Sequence, residues 1–153
     1  MSISTVLVRK GEQKDIPAIL ELIKELALYE NSPESVKMTE DELLKHGFGT
    51  HPEFEFLVAE VDGSVQGMAF YYYCFSTWRG RYLYLEDLIV RQSFRRLGLG
   101  SKLFEATIET AKSQTCRQMG WQVLDWNEPA INFYKKYEAK LDGEWINGRF
   151  YFE

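Results

Sequence analysis

Apolar residues recur at helical spacing in two long segments of the chain. One segment follows Asp15 and the other follows Gly98. Spacings of three and four residues predict amphipathic helices whose apolar faces pack on a sheet. These faces consist of Ile16, Ile19, Leu20, Ile23, Leu26 and Ala27 in the first helix and Leu99, Leu103, Phe104, Ile108 and Ala111 in the second.

Two shorter helices are predicted from their start signals. The run from Thr39 to Glu42 has the Ser/Thr-x-x-Glu form of a capping box, so we expect a helix from there to about Gly47. Pro129 is a favoured residue in the first turn of a helix, and we expect that helix to cover residues 129–137.

Runs of β-branched and aromatic residues predict the strands. A turn signal, Asp62-Gly63-Ser64, lies between two of them, which should therefore form an antiparallel hairpin. The predicted strands cover residues 6–8, 55–61, 65–73, 82–90 and 121–124, with a final strand or hairpin at 145–152. The order β-α-α-β-β-β-α-β-α-β predicts one α/β domain over residues 1–153, a mixed and mostly antiparallel sheet flanked by helices.

Two carboxylates stand next to each other in the predicted strand at 82–90. Strict alternation places Glu86 on one face with Tyr82 and Tyr84, and Asp87 on the other face with Leu85. The two side chains therefore should not both lie on the core side, and one of them should face a cleft. An alkyl ammonium with a pKa near 10.4 must lose a proton before it can act as a nucleophile, and a carboxylate in a cleft is a suitable acceptor.

Two motifs carry the functional signal. The strand runs into Arg95-Arg96-Leu97-Gly98-Leu99-Gly100, an Arg/Gly-rich loop that opens a helix and can present backbone N–H groups to phosphate. The second motif is Asn127-Glu128-Pro129, followed by Asn132-Phe133-Tyr134 on the last predicted helix. With the first motif, it suggests acyl transfer from coenzyme A.

These motifs resemble those of the GCN5-related N-acetyltransferase (GNAT) superfamily, in which the pyrophosphate loop reads Arg/Gln-x-x-Gly-x-Gly/Ala. Within it, the chain resembles the diamine (spermidine/spermine) and thialysine N-acetyltransferases, on segments such as Tyr29-Glu30, Gly47-Phe48-Gly49 and Tyr84-Leu85-Glu86-Asp87. The resemblance implies the acyl-CoA N-acyltransferase fold, acetyl-CoA as the co-substrate and a small cationic amine as the acceptor. It also implies a homodimer.

The resemblance assigns residues to each part of acetyl transfer. Glu86 relays the proton of the acceptor amine, and Tyr134 donates a proton to the departing thiolate. The backbone around residues 88–90, where family members have a β-bulge, supplies the oxyanion donor. The residues expected to bind the co-substrate are Leu88, Ile89, Val90, Arg95, Arg96, Leu97, Gly98, Leu99, Gly100, Ser101, Asn127, Tyr134 and Lys136.

The acceptor pocket is expected to contain Tyr29, Glu30, Trp78, Glu86 and Asp87. Polyamine-specific relatives have an aspartate two residues before the tryptophan, whereas this chain has Ser76, as in the thialysine branch. A thialysine-like or lysine-like amine is therefore favoured. The alternatives are a polyamine, a protein lysine or amino terminus, and, in a different class, a coenzyme-A-binding sensor without turnover.

Composition narrows the partners further. The formal net charge of −5 argues against nucleic acid or an anionic membrane and suits a cationic substrate. Cys74 and Cys116 are too few for a disulfide framework, which favours a reducing cytoplasm. His46 and His51 lack a cluster of further ligands, so no metal is expected.

Overall fold

The computed structural model describes residues 4–152. The strands are β1 (Val6–Lys10), β2 (Glu55–Val61), β3 (Ser64–Ser76), β4 (Gly80–Val90) and β5 (Met119–Gly120). The helices are α1 (Ile16–Tyr29), α2 (Glu40–Phe48), α3 (Leu99–Ser113) and α4 (Glu128–Lys135). Short 3-10 turns cover Gln13–Asp15, Pro33–Ser35 and Gln92–Phe94.

The five strands form one mixed sheet. Their order is β1-β2-β3-β4-β5, with antiparallel pairing from β1 to β4 and a short parallel pairing of β4 with β5. The predicted α/β class and the hairpin of β2 and β3 are confirmed. Thr39 also caps α2 as predicted, because its hydroxyl oxygen accepts a hydrogen bond of 3.2 Å from the Glu42 N–H.

The sheet carries helices on both faces. One face, formed in part by Val58, Met68 and Ile89, packs with residues of α1 and α2 in a single buried cluster. Helix α3 packs on the other face of β3 and β4. The fit is tight there, because a Cβ added at Gly67 would lie 3.2 Å from a Leu103 methyl carbon and 3.0 Å from the Ile89 carbonyl oxygen. These two layers enclose the core.

The carboxyl-terminal strands differ from the prediction. The last strand of the sheet is β5 at Met119–Gly120, so the strand expected at 121–124 is absent from the described ladder. Residues 145–152 form no strand either, and Ile146 and Phe152 are 97% and 95% exposed. Local β propensity does not make a strand when no ladder satisfies its backbone groups. The predictions for both segments were wrong.

The described residues divide into two compact units, one up to Trp121 and one from Gln122 onward. The first contains the sheet with α1 to α3, and the second contains α4 and the exposed carboxyl-terminal segment. The single domain over residues 1–153 stays a prediction, and residues 1–3 and 153 lie outside the described range. Between residues 4 and 152, no helix has the length and apolar character needed to cross a membrane.

A buried ion pair joins the start of α1 to the sheet. The Arg9 guanidinium donates hydrogen bonds of 2.8 and 2.9 Å to Asp15 and of 2.7 Å to Glu60 on β2. Asp15, the residue before α1, is 4% exposed. Burial alone would raise its pKa, but the hydrogen bonds from Arg9 and from the Glu12 N–H outweigh burial and lower it. The ionised carboxylate is therefore the form that the fold stabilises.

We expect Asp15→Asn to lower the free energy of unfolding by about 2 kcal/mol at pH 7, because the amide NH₂ group cannot accept a hydrogen bond from Arg9, which keeps only its partner on β2. A group with a lowered pKa stabilises the fold above its ordinary pKa. This stabilisation is lost as the pH falls through the lowered value. The difference between wild type and variant, measured by urea unfolding, should therefore shrink from pH 7 towards pH 3.

The matched control is Lys10→Gln, since Lys10 on the same strand makes an exposed ion pair of 3.6 Å with Glu55. It should change the free energy of unfolding by less than about 0.5 kcal/mol. Equal losses in the two variants would contradict the role given to the buried pair.

Candidate active site

A β-bulge in β4 determines where the two adjacent carboxylates point. Leu85 lies opposite Tyr71 and Asp87 lies opposite Phe70, so Glu86 is an extra residue without a counterpart on β3. A bulge of one residue reverses the alternation of side chains beyond it. Asp87 therefore faces the α1 side together with Ile89, which belongs to the core cluster under α1.

Glu86 lies on the same face as Asp87. Its carboxylate accepts a hydrogen bond of 3.4 Å from the hydroxyl of Tyr72, a residue that also packs against the core cluster on the α1 side. The prediction that the two carboxylates point to opposite faces was therefore wrong. The bulge also begins two residues before the interval 88–90 in which it was expected, because the extra residue is Glu86.

A third carboxylate, Glu30, approaches this pair from the end of α1. It is the first residue after the helix, and its half-buried position raises its pKa. Burial, then the charges of Glu86 and Glu30, raise the pKa of Asp87 to about 7. At neutral pH the three residues form a negative site that also holds a proton for part of the time. Such a site favours a cationic ligand.

Two tyrosines complete this site, and the sequence analysis did not assign them a role. The rings of Tyr72 and Tyr84 lie 5.4 Å apart on paired positions of β3 and β4. Burial first, and then nearby charges including that of Glu86, raise the pKa of both hydroxyls, so both stay protonated at neutral pH. The alternation of Tyr82, Tyr84 and Glu86 along the chain was the signal that placed Tyr84 beside the carboxylate face.

Helix α1 is held in place by Arg91, the residue that follows β4. Its guanidinium donates hydrogen bonds of 2.5 Å to Glu25 and 2.8 Å to Glu21, both on α1. The end of α1, with Tyr29 and Glu30, is thereby tied to the end of β4. No local sequence pattern indicates this contact, because the partners are 66 and 70 residues apart.

The Arg/Gly loop lies between the end of β4 and the start of α3. The Arg95 guanidinium donates a hydrogen bond of 3.1 Å to the Val90 carbonyl and lies 5.6 Å from the centre of the Tyr29 ring. Arg96 and Gly98 both have left-handed backbone conformations, with φ of 71° and 77°. The loop therefore curls immediately before α3 and lies beside one of the predicted acceptor residues.

The start of α3 has the properties of an anion site. The Lys102 N–H donates to the Gly98 carbonyl at 3.1 Å, so the N–H groups of residues 99–101 come before the helical ladder. Gly98 is the N-cap, and its side-chain position faces open space. Exposed Arg95 and Arg96, the helix dipole and these N–H groups together fit a diphosphate.

Of the other predicted co-substrate residues in the first unit, Leu88, Ile89 and Val90 lie opposite Ala69, Met68 and Gly67 in the ladder with β3. The parallel ladder with β5 joins only Leu83 and Tyr84 of β4 within the described chain, so it does not extend to these three residues. The side chain of Ile89 is 6% exposed and belongs to the core, which leaves its main chain as the group available for binding.

The second unit contains the remaining predicted residues. Asn127 is the N-cap of α4, and its side-chain oxygen accepts a hydrogen bond of 3.4 Å from the Ala130 N–H. Tyr134 is 7% exposed, and its ring packs edge-on against the ring of Phe133, with 5.3 Å between the ring centres. Lys136 is exposed just after the helix. Asn127 thus has a structural role, because it caps the amino-terminal end of the helix that contains Tyr134.

Trp78 does not join the carboxylate site within one chain. It is 90% exposed in the turn between β3 and β4, where the Ser76 hydroxyl accepts from the N–H groups of Trp78 and Arg79. Glu86 is six residues beyond the start of β4, or roughly 20 Å along the strand at about 3.3 Å per residue. The structure therefore groups Tyr29, Glu30, Glu86 and Asp87 and leaves Trp78 at a distance.

Comparison with known proteins gives the family. The model of the acetyltransferase (GNAT) family matches residues 17–138, which include the carboxylates, the Arg/Gly loop and α4. The chain belongs to the GNAT family. It is therefore an acetyltransferase enzyme, as the motifs predicted.

Relatives of this GNAT protein share most of its length. It is 40% identical over 145 residues to a thialysine N-epsilon-acetyltransferase of Sus scrofa, covering 90% of this chain and 85% of that one. It is 38% identical over 134 residues to a human spermidine/spermine N(1)-acetyltransferase-like protein 1, covering 83% of this chain and 19% of the relative. A solved aminoglycoside N-acetyltransferase in complex with CoA has the same fold, with a TM-score of 0.76, 19% identity and coverage of 97% and 96%.

The loop assignment of this acetyltransferase can be tested at Gly98. Both Asp and Asn tolerate the left-handed conformation and are favoured N-caps, so neither Gly98→Asp nor Gly98→Asn should unfold α3. Only aspartate adds a negative charge where the diphosphate is predicted. In calorimetric titrations with CoA, we expect the aspartate variant to bind at least about tenfold more weakly than the asparagine variant.

Salt should reduce this difference, because it screens exposed charges. Pantetheine, which lacks phosphates, should bind equally to both variants. Equal affinities for CoA in the two variants would exclude the loop as the phosphate site.

Proposed function

We propose that this acetyltransferase transfers the acetyl group of acetyl-CoA to a primary amine of a small cationic acceptor, with a thialysine-like or lysine-like amine favoured. The transfer is direct, within a ternary complex. The observation that carries the proposal is the site of Glu30, Glu86 and Asp87 on one face of the sheet. The similarity to a thialysine N-epsilon-acetyltransferase over 90% of the chain supports the choice of acceptor.

The proposed reaction needs three proton transfers. Glu86 receives a proton from the acceptor ammonium, which frees the nitrogen lone pair to form the new N–C bond with the acetyl carbon. The C–S bond then breaks, the Tyr134 hydroxyl donates its proton to the sulfur, and the nitrogen releases a second proton that restores this hydroxyl. A phenol with a pKa near 10 stays protonated at neutral pH and can donate to a thiolate whose thiol has a pKa near 8.5.

The proposed binding of acetyl-CoA uses the last residues of β4 and the loop and helix that follow them in the chain. The Arg/Gly loop and the first N–H groups of α3 hold the diphosphate, and the main chain of Leu88, Ile89 and Val90 holds the pantetheine arm. Asn127 and Lys136 bind further parts of the co-substrate. The oxyanion of the reacting carbonyl is stabilised by backbone N–H groups of the same stretch of β4.

The amine could be longer than a lysine side chain. The human spermidine/spermine N(1)-acetyltransferase-like relative supports a polyamine as the second candidate. Against it, Ser76 stands where polyamine-specific relatives have an aspartate, and its hydroxyl accepts from two N–H groups of the turn. A neutral hydroxyl would not compensate a distal ammonium as a carboxylate would, so this difference favours the lysine-like acceptor.

The protein is proposed to act as a cytoplasmic homodimer. Its two cysteines are free thiols, which suits a reducing compartment. The carboxyl-terminal segment exposes Trp145, Ile146, Phe150 and Phe152, each at least 80% accessible. A second copy of the chain could cover these side chains.

The first experiment measures thiol release from acetyl-CoA with thialysine, lysine, spermidine, putrescine and a lysine peptide. We expect thialysine or lysine to give the highest kcat/KM. Tyr134→Phe should lower kcat by about 10²-fold to 10⁴-fold while CoA still binds, because general acid catalysis contributes that much. Tyr137→Phe, a matched change near the end of the same helix, should alter kcat less than threefold.

Each other outcome favours a different function. A lead for spermidine or putrescine would favour the polyamine acetyltransferase. Binding of acetyl-CoA without turnover of any amine would favour the sensor and would contradict the proposal.

A further inference from the structure

We propose that Asp87 is the final acceptor of the substrate proton, and that Glu86 passes the proton to it from the bound amine. This inference rests on the proposed function and adds a second carboxylate to the proton path. It follows from the bulge, which brings the two adjacent side chains to one face.

The two carboxylates occupy different environments on that face. Glu86 is exposed, and its carboxylate accepts the hydrogen bond from the Tyr72 hydroxyl. Asp87 is half-buried and lies opposite Phe70 in the ladder with β3. Glu86 can therefore meet an incoming amine from solvent, while Asp87 sits behind it at the apolar layer. A proton that reaches Asp87 is removed from the amine and from bulk water.

The charges around Asp87 favour protonation of its carboxylate. From its own strand it faces Glu86 and the protonated Tyr84, and from the end of α1 it faces Glu30. From β3, its neighbour is the apolar Phe70, which lies opposite it in the ladder. The nearest cation along the chain, Arg91, makes ion pairs with Glu21 and Glu25 of α1.

Burial and these two carboxylates raise the pKa of Asp87 to about 7. Proton transfer from an ammonium with a pKa near 10.4 to such a group is more favourable than transfer to an ordinary carboxylate with a pKa near 4.3, by more than two powers of ten in the equilibrium constant. At neutral pH, about half of the Asp87 side chains are ionised and able to accept. The acceptor is thus matched to the pH at which it works.

The test is the pH dependence of kcat/KM for the preferred amine between pH 5 and 9, because this quantity reports groups of the free enzyme. We expect the wild-type rate to fall tenfold per pH unit below about pH 7. Asp87→Asn should lower kcat/KM at pH 8 by at least about 10²-fold and lose the decline near pH 7. Asp87→Glu, which keeps a carboxylate, should retain that decline.

Glu30→Gln supplies the matched control, since it removes a neighbouring charge without removing Asp87. Its decline should move to lower pH, because the pKa of Asp87 falls when one negative neighbour is neutralised. A purely structural role of Glu30 would leave the position of the decline unchanged. An unchanged decline in Asp87→Asn, with a rate within threefold of wild type, would overturn the inference.

A binding measurement separates this inference from the proposed function. Calorimetric titration of the CoA complex with thialysine, at pH 7 in two buffers of different ionisation enthalpy, counts the protons released on binding. A cation beside Asp87 lowers its pKa, so wild type should release about half a proton and Asp87→Asn almost none. Equal proton release by both proteins would overturn the inference, whether or not the amine is turned over.

Discussion

One extra residue in β4 is the constraint on which the candidate active site depends. Without Glu86 as a bulge, the alternation of Leu83 and Leu85 would carry Asp87 into the face that packs on α3. Leu83 and Leu85 are 0% and 2% exposed on that face, so a carboxylate there would be buried without a partner. The bulge instead turns Asp87 towards α1 and places it beside Glu86. The proposed proton path thus depends on a local break in the ladder.

The position of α1 follows from contacts at its start and around its middle. At the start, Asp15 binds Arg9, which also binds Glu60 of β2. Around the middle, Glu21 and Glu25 bind Arg91 at the end of β4. These contacts hold Glu30 close enough to Asp87 to affect its protonation. Arginines therefore compensate the carboxylates at the start and middle of α1, and Glu30 after its end is left to interact with the carboxylates of β4.

Opposite charges meet at the end of β4. The carboxylates face the α1 side, and within a few residues the chain enters a loop that exposes Arg95 and Arg96 and leads to the positive end of a helix dipole. Tyr29 contacts Arg95 and immediately precedes Glu30, so the two regions share a border. This arrangement offers a cation and an anion separate, complementary surfaces near the same strand end.

The sequence by itself determined the elements whose causes are local. Helical spacing marked α1 and α3, the capping box marked the start of α2, and Asp62-Gly63 marked the hairpin, since a few neighbouring side chains suffice for each. The same holds for the Arg/Gly loop, whose motif gave the family. Only the tertiary structure decided the register of β3 against β4, the contacts of Arg91 and the exposed course of residues 145–152. A bulge is a property of two paired strands, and a strand exists only with a partner, so one stretch of sequence cannot specify either.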